Sequence, residues 1–200
     1  MKHIIYTLIL LFSINSIAQQ IVPLETEYTT NFLERDTYFK DINGELDKFI
    51  GTWKYEDTTS NTVFEITLSK IENTESAHSC TEDRLTGQFK LVVNGIEQYN
   101  TYTNDYGKMI MGKGFNPTYT YLSDGNAIRN PPSVNRYHMA IVEPSFVGFL
   151  HSSDLTITYE NNSGVEKINW NNEVDKAIRV VDNQQVNIYQ MPLEMELIKQ

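Results

Sequence analysis

Residues 85–103 read LTGQFKLVVNGIEQYNTYT. Apolar and polar residues alternate along this stretch, as they do in antiparallel strands that bury one face. Asn94 and Gly95 interrupt the alternation, and an Asn-Gly pair is the best fit to a two-residue type I′ turn, because both positions need a positive φ. The stretch therefore predicts a β-hairpin with strands over residues 85–93 and 96–103.

The same two-residue period continues through most of the chain after Gly51, in segments rich in Val, Ile, Thr, Tyr and Phe. The other predicted strands are residues 52–57, 63–69, 109–112, 118–122, 136–142, 154–160, 165–171 and 186–198. Pro192 cannot donate a backbone hydrogen bond, so it predicts a bulge or an edge position in the last strand. No crossover helices separate these strands, which excludes a parallel architecture. The predicted fold is all-β and antiparallel, either a barrel or a sandwich.

One segment ahead of the strands has helical spacing. Leu46, Phe49 and Ile50 fall on one face, Asn43 is a suitable N-cap, and Gly51 is a suitable end. We therefore expect a short N-terminal helix over residues 43–50.

The first 18 residues have the pattern of a cleavable secretory signal peptide. Lys2 supplies the positive charge, residues 4–12 are almost all apolar, and Ser16 and Ala18 supply a small-residue exit. We expect cleavage after Ala18 and export to the periplasm or the medium, with no transmembrane segment in the remainder, because no later apolar run is long enough. The predicted domains are a signal peptide at 1–18, an extended lead-in at 19–42 and a single β domain at 43–200.

Composition disfavours several classes of partner and cofactor. The chain carries 16 Lys and Arg against 26 Asp and Glu, a net charge of −10, which is unsuitable for nucleic acid. Cys80 is the only cysteine, so it has no partner for an intramolecular disulfide, and with His78 it makes too few ligands for a metal site. Residues 107–114 approach a phosphate-loop spacing, but Gly114 replaces the Ser or Thr that holds magnesium. We expect no metal and no cofactor, and a glycine-rich β connection at 107–114.

Catalytic signals are weak. The chain has no Gly-X-Ser-X-Gly elbow, and His138 and His151 have no nucleophile at a diagnostic spacing. Carboxylates become an active site only when the fold brings them together, which sequence does not show. A non-catalytic protein is the favoured prediction, and a hydrolase is less favoured.

A cluster of tyrosines suggests a binding role. Tyrosine offers a flat apolar ring with a polar tip, which suits small amphipathic or sugar-like ligands. The candidate ligand-binding residues are Tyr99, Tyr102, Tyr119 and Tyr121. The competing explanation is that they fill the core or pair across strands. The alternative function is an envelope-associated protein–protein interaction module, which a large exposed apolar patch would favour.

Residues 38–55, YFKDINGELDKFIGTWKY, resemble an uncharacterised family of short exported proteins found chiefly in Bacteroidota. Ala18 and Gln19, and the closing residues 192–199, are similar to that family as well. The resemblance implies a small, secreted, single-domain protein and carries no known activity.

Gly51, Thr52 and Trp53 also resemble the opening of the first strand in lipocalin and calycin barrels, where Gly-X-Trp follows a short helix. The second lipocalin motif, Thr-Asp-Tyr, is only approximated at residues 103–106, with one residue too many. The resemblance implies a lipocalin-like barrel in which Trp53 plugs the closed end and Arg179 packs over it. A ligand would then lie at the opposite, open end, near the tyrosines.

Overall fold

The computed structural model describes residues 19–27, 36–76, 80–103, 110–123, 126–143, 153–173, 178–181, 184–187 and 191–200, with backbone only at 121, 178–181 and 184–187. In chain order its strands are β1 (Gln20–Pro23), β2 (Thr37–Lys40), β3 (Gly51–Asp57), β4 (Thr62–Glu75), β5 (Thr81–Val93), β6 (Ile96–Asn100), β7 (Ile110–Gly114), β8 (Thr118–Tyr121), β9 (Ala127–Asn130), β10 (Arg136–Ile141), β11 (Ser153–Asn162), β12 (Val165–Glu173), β13 (Ile178–Val181), β14 (Gln184–Asn187) and β15 (Glu194–Lys199). Two single-turn 3₁₀ helices, Leu24–Thr26 and Asp47–Phe49, complete the described elements.

Eight of the strands close into an antiparallel barrel. Their order is β5-β4-β3-β15-β12-β11-β10-β7, and β7 returns to β5 through the pairs Thr86↔Met111 and Gly87↔Ile110. Closure leaves the barrel strands with neighbours on both sides, which removes the free edges of an open sheet. The all-β antiparallel prediction is confirmed, and of the two predicted architectures the structure is the barrel, of a kind that fits a lipocalin-like shape.

The other strands extend the barrel or form small separate hairpins. β1 pairs in parallel with β2, and β2 pairs in parallel with β5, so part of the segment predicted as an extended lead-in adds to the sheet. β6 pairs with the C-terminal part of β5, residues 90–93. β8 with β9, and β13 with β14, form two-stranded sheets of their own. The sequence did not predict β1, β2, β9 or β13, because they are four-residue strands with little alternation.

The predicted Asn-Gly hairpin is present. Asn94 and Gly95 have φ of 53° and 74°, both in the left-handed region that a type I′ turn requires. Ser163 and Gly164 make a similar turn between β11 and β12, with φ of 56° and 89°. Local turn chemistry therefore fixes the register beside each turn, and in the Asn-Gly hairpin the register then shifts between Leu91 and Val92.

The predicted N-terminal helix over residues 43–50 is wrong. The segment is a run of turns ending in the 3₁₀ helix at Asp47–Phe49. Gly44 has φ of +68°, which a right-handed helix does not allow at its second position. Asn43 does not cap it: the N-cap of the 3₁₀ helix is Leu46, and the carboxylate of Asp41 holds the preceding turn by accepting the backbone N–H of Glu45 at 2.7 Å. The predicted apolar contacts are nevertheless made, because Leu46 and Phe49 are fully buried.

The predicted last strand over residues 186–198 is also wrong as a single strand. Of its described residues, 186–187 belong to β14 and 194–198 to β15, whereas 191–193, with Pro192, lie outside both. Proline lacks the N–H that a central strand must donate, so β15 begins only at Glu194.

Inward-facing side chains from all eight barrel strands pack into one apolar core. They are Trp53, Phe64, Ile66, Leu68, Leu85, Phe89, Leu91, Ile110, Tyr137, Met139, Ile141, Leu155, Ile157, Ile168, Trp170, Met195 and Leu197. We call the end of the barrel at Trp53 and Lys199 the lower end, and the end at Asp57 and Glu194 the upper end.

The glycine-rich stretch at residues 107–114 contributes to the packing of this core. Its described part is strand β7, as the sequence predicted. A Cβ on Gly112 would clash with the ring and hydroxyl of Tyr137 and lie 3.0 Å from the backbone oxygen of Leu85. The missing side chain therefore leaves space for the Tyr137 ring, whose hydroxyl accepts the Leu85 N–H at 3.3 Å.

Candidate ligand-binding groove

A groove opens where two neighbouring barrel strands separate. β15 pairs with β3 only through Ile198↔Lys54 and Lys199↔Trp53, at the lower end. β15 stays paired with β12 up to Glu194, whereas β3 has no pairing with it above Lys54. The resulting groove has a volume of about 410 Å³. Its lining residues are Tyr55, Asn169, Trp170, Asn171, Glu194, Met195 and Glu196.

The groove combines an apolar wall with an acidic rim. Trp170 and Met195 are paired across β12 and β15, and both are buried. The two glutamates of β15 are exposed, and no Lys or Arg is among the seven lining residues. Glu196 forms an ion pair with Lys167 at 2.8 Å, outside the groove lining. Glu194 has no ion pair among the described residues, so its charge is open to a ligand.

Trp170 has an unsatisfied hydrogen-bond donor. Its side chain is 2% exposed and packs edge-on against Phe64, with ring centroids 5.2 Å apart. The indole Nε1 is buried and has no acceptor in the described structure. Leaving a buried donor unpaired costs about 1–3 kcal/mol, so this N–H would gain from an acceptor brought by a ligand or an ordered water.

Asn172 adds a second unsatisfied group on the same inward face of β12. It is 2% exposed, and neither its side-chain oxygen nor its nitrogen has a hydrogen-bond partner in the described residues. Its backbone is fixed, because the N–H donates to the Leu193 oxygen at 2.8 Å. Native structures rarely leave a buried amide without any partner. Two such groups two residues apart mark the upper part of β12 as a place for a polar partner.

Of the four predicted tyrosines, the three whose side chains the structure describes do not share one surface. Tyr99 is buried and lies opposite Leu91, with the core. Tyr102 is partly exposed, and its hydroxyl forms a 2.9 Å hydrogen bond with Thr67 Oγ1. Tyr119 lies exposed in the separate β8–β9 hairpin. Tyr121 lies in the same strand, and its side chain is outside the description. A ligand-binding role for these residues stays a prediction, as does a ligand at the open end.

Sequence reasoning missed the groove residues. Tyr55, Trp170 and Met195 come from three strands that are far apart in the chain, and none belongs to a recognisable motif. One usable signal existed: Trp170 is one of only two tryptophans, and it occupies an inward position of an alternating strand.

The other tryptophan, Trp53, is fully satisfied. It is completely buried, and its Nε1 donates to the Phe49 backbone oxygen at 2.8 Å. Tyr159 packs edge-on against it at 6.4 Å between centroids, and Lys199 Nζ lies 5.3 Å from the ring centroid. Arg179 lies in β13, and its side chain is outside the described part, so its packing over Trp53 stays a prediction.

A buried pair of acids lies elsewhere, where the N-terminal segment meets β5. Glu27 and Glu82 are 8% and 2% exposed, and Arg84 forms an ion pair with Glu82. Burial, together with the nearby negative charge of Glu82, raises the pKa of Glu27 to about 8. Glu27 is therefore a neutral acid at neutral pH and can share its proton with Glu82.

The histidines and Cys80 do not assemble a reactive site in the described residues. Burial and the charge of Arg136 lower the pKa of His138, whose Nδ1 lies 3.3 Å from Thr156 Oγ1. His78 and His151 lie outside the described residues, and Cys80 is buried. Within the described ranges, no group of three or more His, Cys, Asp or Glu side chains is placed to hold a metal ion.

In the part of the chain that the structure describes, no helix has the length and apolar character needed to span a membrane. No curated protein and no solved structure shows significant similarity to this chain. A family model, described as a family of unknown function (DUF6705), matches residues 1–200. The predicted membership of an uncharacterised family is thereby confirmed: the chain belongs to the family of unknown function DUF6705.

Proposed function

We propose that this protein is a non-catalytic, lipocalin-like binding module that acts outside the cytoplasm and holds a small amphipathic or sugar-like ligand. The ligand occupies the groove between β3 and β15. The observation that carries the proposal is the unpartnered indole N–H of Trp170, which belongs to a residue in the wall of that groove.

Size and chemistry support a small ligand. Pockets for small molecules have volumes of about 300–1,000 Å³, and the 410 Å³ of this groove lies in that range. Tyr55 offers a partly exposed aromatic side chain, Trp170 and Met195 are buried lining residues, and Asn169 and Asn171 offer amides. An apolar wall with a few polar groups is the usual composition of such a site.

Direct binding of a neutral amphipathic fluorophore, N-phenyl-1-naphthylamine, tests the proposal on the chain beginning at Gln19. We expect its fluorescence to rise on binding. Tyr55→Ala should raise the Kd about tenfold, a loss of about 1.4 kcal/mol, because the aromatic wall is removed. Tyr119→Ala is the matched control, since it removes an equally large ring from the exposed β8–β9 hairpin.

Binding that is absent in the unmodified protein, or unchanged in Tyr55→Ala, would refute the groove proposal. A larger loss in Tyr119→Ala than in Tyr55→Ala would move the site to the predicted tyrosines.

Export is tested by expressing the full chain in its native type of cell and sequencing the mature N-terminus. We expect Gln19 as the first residue of protein recovered from the periplasm or the medium. An uncleaved chain retained in the cytoplasm would contradict this part of the proposal.

A second candidate function is the envelope-associated interaction module. Exposed apolar side chains on and beside the β8–β9 hairpin favour it: Tyr119, Leu122 and Ile128 are 53%, 41% and 51% exposed. Chemical cross-linking on intact cells discriminates the two candidates. An interaction module should lose its adducts in the Leu122→Ser/Ile128→Ser double variant and keep them in Tyr55→Ala, whereas a ligand-binding module should show no such dependence.

A further inference from the structure

We propose that residues 19–27 form a detachable N-terminal segment, which the barrel holds through a proton shared between Glu27 and Glu82 and releases in alkaline solution while the barrel stays folded. The groove and its ligand play no part in this release. Three features carry the proposal: the edge position of the segment, two buried carboxyl groups that meet across its interface with β5, and the charges around them.

The N-terminal segment lies at an edge of the sheet. It consists of Gln19, β1, the first 3₁₀ helix and Glu27, and among the described residues β1 pairs only with β2. Leu24, at 1% exposed, is the one buried apolar residue of the segment, and Gln19 Nε2 donates to Thr81 Oγ1 at 3.1 Å. An edge element with a single apolar anchor is typical of the parts of a fold that open locally.

β2 is attached to the barrel by bonds that do not involve this segment. The Tyr38 hydroxyl donates to Asp83 Oδ1 at 2.5 Å, and the Asp41 backbone N–H donates to Asp83 Oδ2 at 2.9 Å. Asp83 belongs to β5, a strand of the barrel. The segment can therefore leave while β2 stays in place.

Two buried carboxyl groups meet where the segment contacts β5. Glu27 and Glu82 are 8% and 2% exposed, and they lie within hydrogen-bonding reach of each other. In both residues Oε2 is buried and has no hydrogen-bond donor in the described structure. A carboxylate oxygen only accepts hydrogen bonds, so these two oxygens satisfy each other only when a proton lies between them. Loss of that proton leaves two negative charges in contact and shielded from water, which disfavours the docked segment.

The other ionisable groups near the pair do not replace the proton. Arg84 of β5 forms its ion pair with Oε1 of Glu82, the other oxygen of that carboxylate. Tyr137 of β10 lies close enough to interact with both acids, but burial raises its pKa, so it stays neutral. Burial and the charge of Glu82 raise the pKa of Glu27 to about 8, and the charge of Arg84 offsets this only in part.

The proton links the position of the segment to pH. In the released segment Glu27 is in water and titrates near its ordinary value of 4.5. Between pH 4.5 and about pH 8, release therefore frees one proton, which passes to water, and the ratio of released to docked segment rises about tenfold for each pH unit. Release also uncovers an edge of β2, because β1 is its described neighbour on that side.

Amide hydrogen exchange between pH 6 and pH 9, corrected for the intrinsic effect of pH on exchange, tests the proposal. The Glu27 N–H, which donates to the Leu24 oxygen at 3.1 Å, reports on the segment, and the amides of β11 and β12 report on the barrel. We expect the opening ratio at Glu27 to rise about a hundredfold over this range. At every pH it should exceed that of β11 and β12 by at least about a hundredfold, because the segment opens locally.

Glu27→Gln should abolish the rise, because its amide is uncharged and can donate to Glu82 at every pH. Glu25→Gln is the matched control. Glu25 lies in the same 3₁₀ helix, but its carboxylate accepts a hydrogen bond from Asn43 Nδ2, so this variant should keep the hundredfold rise.

An opening ratio at Glu27 that is the same at pH 6 and pH 9 in the unmodified protein would overturn the proposal, however the variants behave. Equal opening ratios at Glu27 and in β11 and β12 would also overturn it, because the segment would then leave only when the whole barrel unfolds. A rise that persists in Glu27→Gln would assign the pH dependence to another group and rule out the shared proton.

Discussion

Two tryptophans in one barrel have the same burial and opposite hydrogen bonding. Trp53, at the lower end, is 0% exposed and donates its indole N–H to Phe49 at 2.8 Å. Trp170, beside the groove, is 2% exposed, and its indole N–H has no partner in the described structure. Burial alone therefore does not distinguish a structural residue from a candidate binding residue.

The two tryptophans lie at places where the pairing of β3 with β15 differs. At the lower end β15 pairs with β3, and the turn at Asp47–Phe49 places a backbone carbonyl against Trp53. Above Lys54 the two strands are not paired, and the indole N–H of Trp170 has no acceptor in the described structure. Buried polar atoms without a partner also occur in strands that are paired on both sides, as at His138 Nε2 of β10, so strand pairing alone does not account for the free indole N–H of Trp170.

The largest effect is expected from removing the lower tryptophan. Trp53→Ala should reduce the free energy of unfolding by about 3–5 kcal/mol, because it leaves a large cavity and an unpaired Phe49 carbonyl. Urea unfolding measures this.

Trp53→Phe should reduce the free energy of unfolding by about 1–3 kcal/mol more than Trp170→Phe does, because only the first substitution breaks a hydrogen bond. Equal losses of unfolding free energy in Trp53→Phe and Trp170→Phe would contradict the difference in hydrogen bonding between the two tryptophans.

The buried acids extend the comparison between buried polar groups. A buried carboxyl group can avoid an unpaired charge by keeping its proton, whereas an indole N–H has no such alternative. Glu27 holds its proton up to about pH 8 when folded, and the unfolded chain loses it near 4.5. Between these values unfolding releases a proton, so the free energy of unfolding falls as pH rises. Each unit of difference in pKa corresponds to about 1.4 kcal/mol, so the free energy of unfolding changes by a few kcal/mol between these two pH values.

Glu27→Gln should reduce the dependence of the free energy of unfolding on pH, because glutamine stays neutral at every pH. Urea unfolding at intervals from pH 4.5 to pH 9 measures it, with Glu173→Gln, an exposed glutamate, as the control. A slope that survives in Glu27→Gln would show that another group carries the pH dependence.

A substitution of Asn172 tests whether its unpaired side-chain atoms destabilise the protein when no ligand is bound. Asn172→Leu replaces them with an apolar side chain of similar size, so we expect a gain of about 1–2 kcal/mol in thermal or urea unfolding without ligand. Asn171→Leu, at an exposed position, should change stability by less than about 0.5 kcal/mol. A clear destabilisation by Asn172→Leu would mean that the amide has partners when folded.

The smallest effect is expected at Lys199, which interacts with the Trp53 ring and with Glu166 at 3.0 Å. Both interactions are partly exposed to solvent, so Lys199→Met should cost less than about 1 kcal/mol. A loss as large as that of Trp53→Phe would show that the cation, rather than the Phe49 hydrogen bond, holds the lower end together.

Much of the fold was predictable because its signals are local. Alternation identified most of the barrel strands, and Asn94 with Gly95 identified a turn and its register. The predicted helix failed at Gly44, where a positive φ and the Asp41 carboxylate favour a turn that helical spacing does not reveal. The predicted last strand failed at Pro192, which was predicted as a bulge or an edge position within one strand and lies outside both β14 and β15.

The sequence by itself determined an acidic, antiparallel β protein with Trp53 at the start of its first barrel strand, because alternation and turn residues act between near neighbours. Only the tertiary structure decided that the sheet closes through β5 and β7, and that β3 and β15 separate beside Trp170. Those outcomes depend on pairings between residues far apart in the chain. The missing acceptor of one indole follows from which strands meet, and neighbouring residues do not encode it.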